Sequence, residues 1–181
     1  MSRIVNSVAM TLDGVIDPVS PEWFVAEGDH DDAAREEFAK STGMLLGRTT
    51  FEGLAGYWSP LSDPWADIIN PMPKYVASRS KQSDLQWNGI PIEGDAIEGV
   101  RRLKGETDGD LFMSGCGELV RELIQAGLVD EVLFWIHPTV KGEGKRPYEA
   151  ATLKMRLLGT RQFDSGVTLL RYQPMSSGQG R

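Results

Sequence analysis

The chain of 181 residues has a single cysteine, Cys116, which excludes an internal disulfide and any cysteine-rich zinc site. It has two histidines, His30 and His137, too far apart for an HExxH pair or another two-histidine metal motif. No apolar run approaches the roughly 20 residues that a membrane-spanning helix needs. Positive charge is also in short supply: 19 Lys and Arg stand against 26 Asp and Glu, a net charge of -7. A protein without a basic face is a poor partner for nucleic acid or for an anionic membrane. A few arginines and backbone amides still suffice to hold one small phosphate ligand. Polar residues interrupt the apolar run from Ile4, so no signal peptide is expected in the N-terminal segment. The expectation is one cytoplasmic globular domain with no bound metal.

The pattern along the chain alternates strands and helices. Residues 3–10 read as a strand, Asp13-Gly14 as a turn, 29–41 as a helix with an acidic start, and 44–46 as a short buried strand. A helix begins at 48–52, and Gly56, Trp58 and Pro60 then open an irregular region with a short helix near 64–70. A strand at 74–78, a polar turn at Arg79-Ser80-Lys81, a helix at 95–104, a buried strand at 111–113 and a helix at 118–126 follow. The strongest apolar strand is 130–136, and residues 153–163 and 166–173 pair around Asp164-Ser165-Gly166. Residues 1–173 are read as one domain and 174–181 as a polar tail. This order predicts an α/β fold, a mixed and mostly parallel central sheet flanked by helices with a C-terminal antiparallel hairpin.

One pattern occurs twice: a short buried strand, a glycine, then a helix start rich in small or polar residues. The first is Leu46-Gly47-Arg48-Thr49-Thr50, the second Met113-Ser114-Gly115-Cys116-Gly117-Glu118. Such a junction aims unpaired N–H groups and the positive end of a helix dipole at the sheet edge, where glycine admits a phosphate. Two of them could hold a dinucleotide, although such turns also arise for packing alone. Ser78-Arg79-Ser80 follows a strand and, with Arg48, supplies contacts for a terminal phosphate; a solvated turn is the alternative. The first strand lacks the G-x-G-x-x-G of a Rossmann site. The single Gly-Lys pair, Gly144-Lys145, is followed by Arg146 and so is no P-loop.

The segments SVAMTLDGVI (7–16), MLLGRTTFEG (44–53), KYVASRS (74–80) and LFMSGCGELVRELIQAGLVDEVLFWIHPTVKGEGK (111–145) resemble the dihydrofolate reductase superfamily. The likeness is closer to the reductase domain of the bacterial bifunctional riboflavin deaminase–reductase, and it extends from Arg3 to about Tyr172. It implies a dihydrofolate-reductase-like fold and an NADPH-dependent reductase. The acceptor it implies is of the 5-amino-6-(5-phosphoribosylamino)uracil type; a pterin is the alternative, and a non-catalytic nucleotide-binding or assembly module is the alternative of another class. On this resemblance the backbone of Ala9 and Ile16 holds the nicotinamide carboxamide, and Gly47, Arg48, Thr49 and Thr50 form the first phosphate turn. Ser78, Arg79 and Ser80 surround the adenosine 2′-phosphate. Ser114, Gly115, Cys116, Gly117, Glu118 and Leu119 lie under the diphosphate and ribose.

Asp13 and Gly14 begin a loop that the resemblance turns toward cofactor and substrate. Hydride transfer needs no protein nucleophile, but an imine-like acceptor needs a proton, for which Asp13 and Asp31 are the candidate acids. An Asp-Gly turn and helix-start charge are their ordinary alternatives. Cys116, at a helix start, is read as a small turn residue in preference to a reactive thiol. Trp23, Trp58 and Trp65 are expected in irregular segments beside the cleft, with Trp58 a candidate to stack on a planar substrate. A homodimer is common among the riboflavin-type relatives, and strand 130–136 with the C-terminal hairpin is the edge expected to present it.

Overall fold

The computed structural model describes residues 2–17, 19–79, 85–149 and 151–175. Among these described residues, eight strands form one sheet: β1 (Ile4–Thr11), β2 (Ser41–Gly47), β3 (Lys74–Ala77), β4 (Gly89–Ile92), β5 (Asp110–Ser114), β6 (Glu131–His137), β7 (Met155–Gln162) and β8 (Thr168–Pro174). Five described helices alternate with them: α1 (Asp29–Ala39), α2 (Arg48–Trp58), α3 (Pro64–Ile69), α4 (Ala96–Glu106) and α5 (Glu118–Gln125). The strand order is β4-β3-β2-β5-β1-β6-β8-β7. Every neighbouring pair from β4 to β6 is parallel, and β8 runs antiparallel to both β6 and β7. This is the mixed, mostly parallel α/β sheet with a C-terminal hairpin that the alternation predicts.

Burial follows from sequence on both faces of the sheet. The central strands read as continuous apolar runs because helices cover them on each side, with Leu45, Leu46, Leu111, Val132 and Leu133 almost wholly buried. On α5, Val120, Leu123 and Ile124 recur at helical spacing and join Ile4, Val8, Leu111 and Met113 in the largest core cluster. On the hairpin side, Arg171 of β8 donates to Glu131 of β6 at 2.6 Å and to Glu37 of α1 at 2.8 Å. That pairing fixes the register of β8 against the sheet and the helix together.

Four expectations change. Helix α2 does not break at Gly56 but continues to Trp58, because Phe51, Leu54, Ala55 and Trp58 keep one apolar face while Gly53 and Gly56 stay exposed. Strand β4 has no forerunner in the sequence reading; it is four residues long and contains Pro91, tolerable because β4 is an outer strand of the sheet. The sheet also runs on to Pro174, opposite Met155, so the predicted tail begins later; residues 176–181 lie outside those described. Finally, β6 is interior, between β1 and β8, and the outer edge of the hairpin is β7. Strand 130–136 therefore offers no free edge to a second copy. None of the described helices is long and apolar enough to cross a membrane.

Candidate active site

Parallel pairing between β1 and β5 ends at Ser7 and Ser114, while β1 continues beside β6 to Thr11 and His137. Beyond Ser114 the chain turns away through Gly115, whose φ of +92° is a conformation that glycine alone adopts without strain. The neighbouring strand, β2, ends at Gly47 and turns directly into α2. A cleft of about 730 Å³ opens where these two turns meet. Ligands of open α/β sheets lie in such a crevice beyond the carboxyl ends of the strands.

The two helix starts are in contact. A methyl built on Gly115 would stand 3.3 Å from Oγ1 of Thr50, and one built on Gly47 would stand 3.7 Å from Cδ2 of Leu119. Helices α2 and α5 each begin after a glycine, Gly47 and Gly117, with no side-chain cap on their first amides. By contrast, α3 and α4 are capped by Asp63 and Asp95, each accepting from two backbone N–H groups. Helix α1 also follows a glycine and has no side-chain cap, and three aspartates occupy its first turn. Two of the three uncapped starts among the described helices thus meet at the cleft, where an anion would complete both helices. Gly117 lines the cleft and a Cβ there meets no protein atom within 4 Å, so a side chain would compete for ligand space.

Below this floor, the wholly buried Asn6 of β1 ties the β5–α5 turn in place. Its Nδ2 donates to the carbonyls of Met113 at 3.0 Å and Gly115 at 2.7 Å, and its Oδ1 accepts from the Tyr148 hydroxyl. Neither residue stands out in the sequence reading, since the pairing spans most of the chain. Asp95 and Glu122 also line the cleft unexpectedly. For Asp95 a signal exists in the Asp-x-x-Glu start of α4.

Each of the two guanidiniums at the cleft has a carboxylate partner. Arg79 forms an ion pair with Glu118, and Arg48 Nε donates to Glu52 at 2.7 Å. Cys116 is partly buried, and that burial, with Asp17 and Glu149 nearby, pushes its thiol up to about 11. It is a closed-in turn residue, the opposite of an activated thiol.

The cleft gathers Gly47, Arg48, Thr49, Thr50, Ser78, Arg79, Ser114, Gly115, Cys116, Gly117, Glu118 and Leu119. Ser80 lies outside the described residues. Ala9 and Ile16 do not line the cleft: Ala9 packs against the cluster around Trp135, and the Ile16 N–H donates to the Lys145 carbonyl at 2.9 Å. Gly14, with φ +81°, closes a turn back to the Thr11 carbonyl and also lies apart from it.

The candidate acids need correction. Asp13 accepts from the Thr11 hydroxyl at 2.6 Å and from the backbone N–H groups of Lys141 at 3.1 Å and Gly142 at 2.7 Å. These donors hold its carboxyl down at about 2, so it carries no proton at neutral pH and instead fastens two loops together. Asp31 accepts from the Trp65 indole N–H at 2.7 Å and pairs with Arg35, so it ties α1 to α3. Trp58 is the last residue of α2, not part of a loop, and packs against Tyr57 and Trp65 outside the cleft. Trp23 is core, edge-on to His137 and Phe24.

Fold and cleft together define an open α/β protein with a ligand crevice at the carboxyl ends of its parallel strands. Residues 3–169 match the protein-family model described as RibD C-terminal domain, and the chain belongs to that family. Protein YyaP of Bacillus subtilis is 31% identical over 179 residues, covering 94% of each chain. Among solved structures, the Thermotoga maritima diaminohydroxyphosphoribosylaminopyrimidine deaminase/5-amino-6-(5-phosphoribosylamino)uracil reductase superposes with a TM-score of 0.68 at 13% identity. That match covers 96% of this chain and 57% of the other. RibD of Acinetobacter baumannii gives a TM-score of 0.67 at 18% identity, covering 97% of this chain and 59% of that one. At such identities the superpositions establish the fold.

Proposed function

We propose that this chain is an NADPH-dependent reductase whose acceptor is a ribosylamine of the 5-amino-6-(5-phosphoribosylamino)uracil type. The observation that carries the reading is the meeting of two glycine-led, uncapped helix starts in one cleft, with Arg48 and Arg79 at its rim. A dinucleotide fits the donor set: bare amides for the diphosphate, guanidiniums for a further phosphate, and glycines where a ligand must approach the backbone. When bound, the nicotinamide would supply the hydride, which explains why the site needs no nucleophile or metal.

The chain's own work is then to bind, orient and exclude water. Asn6 and Tyr148 fix the β5–α5 turn, so that the amides after Gly117 keep their direction without help from the ligand. Asp13 locks the 11–15 turn onto residues 141–142, closing the far side of β1. With Asp13 and Asp31 both engaged by partners away from the cleft, the proton required by the acceptor is assigned to solvent. The relatives whose names include a ribosylamine-type reductase favour that acceptor over a pterin.

The test is a thermal-shift series with NADPH, NADH and no nucleotide. NADPH is expected to raise the melting temperature most and NADH less. No shift from either nucleotide would overturn the reading.

A further inference from the structure

We infer that Glu118 is a specificity-determining residue, competing with the cofactor's 2′-phosphate for Arg79. This rests on the dinucleotide reading of the same cleft and asks what sets its choice between the two nicotinamide dinucleotides.

Carboxylates temper the positive charge of the cleft. Among the described residues its charged lining consists of Arg48 and Arg79 against Asp95, Glu118 and Glu122. Asp95 is committed to the Ile97 and Glu98 amides as the cap of α4. Arg48 shares its charge with Glu52 one turn along its own helix. Glu118 differs from these, because it reaches across the cleft from the first turn of α5 to the loop after β3. Both members of that pair are open to solvent, with side chains 81% exposed for Arg79 and 51% for Glu118, so either can be displaced.

Three consequences follow from this placement. The carboxylate supplies from within the chain the negative charge that both Arg79 and the start of α5 favour. A 2′-phosphate arriving at Arg79 must break that pair and leave Glu118 facing a second anion. A ribose 2′-hydroxyl adds no charge, so the pair survives and the hydroxyl gains an acceptor. Glu118 thus lowers affinity for the phosphorylated cofactor while leaving the unphosphorylated one nearly unaffected.

The experiment measures Kd for NADPH and NADH by titration calorimetry on the full chain as wild type, Glu118→Gln, Arg79→Gln and the double variant, each at low and high salt. Both residues are exposed, and melting temperatures without nucleotide check that each variant folds. Glu118→Gln is expected to tighten NADPH by about three- to tenfold and to move NADH by less than about twofold, with the gain fading at high salt. Arg79→Gln should weaken NADPH more when combined with Glu118→Gln than in the wild-type chain, because only without the carboxylate is the guanidinium released. Equal effects on both nucleotides, or none on NADPH, would overturn the inference while leaving the dinucleotide cleft standing. No binding of either nucleotide to any of the four proteins would overturn the cleft assignment itself, and this inference with it.

Discussion

The hydroxyl of Tyr148 donates to Oδ1 of Asn6 at 2.6 Å, joining residues 142 positions apart. Through the other end of the Asn6 amide the bond reaches the carbonyls of Met113 and Gly115, so a residue beyond β6 governs the turn that opens α5. Tyr148 adds a second tie, its own N–H lying 3.3 Å from the Cys116 carbonyl, and it does so at a φ of +55° that a tyrosine rarely adopts.

Removing the hydroxyl with Tyr148→Phe leaves a buried amide oxygen without a donor. The expected cost is about 1–3 kcal/mol of stability, measured by urea denaturation. Dinucleotide affinity should fall as well, because the amides after Gly117 lose their fixed direction. A variant with unchanged stability and affinity would show that the turn holds its shape by itself.

Gly115→Ala tests the contact between the two helix starts. Its positive φ and the 3.3 Å approach to Thr50 Oγ1 both penalise a side chain. A loss of about 1–2 kcal/mol is expected from the backbone alone. Gly117→Ala, whose Cβ meets no protein atom within 4 Å, should keep its stability and lose nucleotide affinity. The contrast separates a glycine needed for folding from one needed for ligand space.

The parts of this molecule that are legible in its sequence are those written locally. Apolar runs such as Leu111-Phe112-Met113 and glycine-led helix starts announced the parallel sheet and the cleft floor, because each needs only neighbouring residues to specify it. Strand β4 was hidden because an outer strand of four residues with a proline lacks the pattern of a buried one. The roles of Asp13 and Asp31 were hidden for another reason: an aspartate in a turn or helix start looks the same whether it faces a ligand or a remote partner. Only the fold brings Lys141 and Gly142 to Asp13, and Trp65 to Asp31.

Cys116 should be slow to react. With its thiol pushed up to about 11, the thiolate fraction at pH 8 is lower by about a hundredfold than for a thiol at the ordinary value of 9.0. Modification by a disulfide reagent at pH 8 should be slower by about that factor than for a free thiol, and should recover on unfolding in urea. Fast modification of the folded protein would show that the β5–α5 turn opens readily.

The two histidines make a pH dependence that can be assigned. Val25 is held between them: its N–H donates to Nδ1 of His137 at 3.0 Å, and its carbonyl lies 3.0 Å from Nε2 of His30. His137 is 1% exposed, and burial, with the neighbouring His30, lowers its pKa from 6.5 to about 4. The folded state therefore binds this proton less readily than the unfolded chain does. Stability from the neutral ring is fully present above pH 6.5 and is lost as the pH falls from 6.5 toward 4, by an amount on the order of 3 kcal/mol. Protonation at Nδ1 also removes the acceptor for Val25, so the segment before α1 should loosen first. His137→Asn offers an amide oxygen in place of Nδ1 but cannot be protonated. In urea titrations between pH 4 and 6.5 it should flatten the slope that wild type shows. An identical slope in the variant would move the acid sensitivity away from this ring.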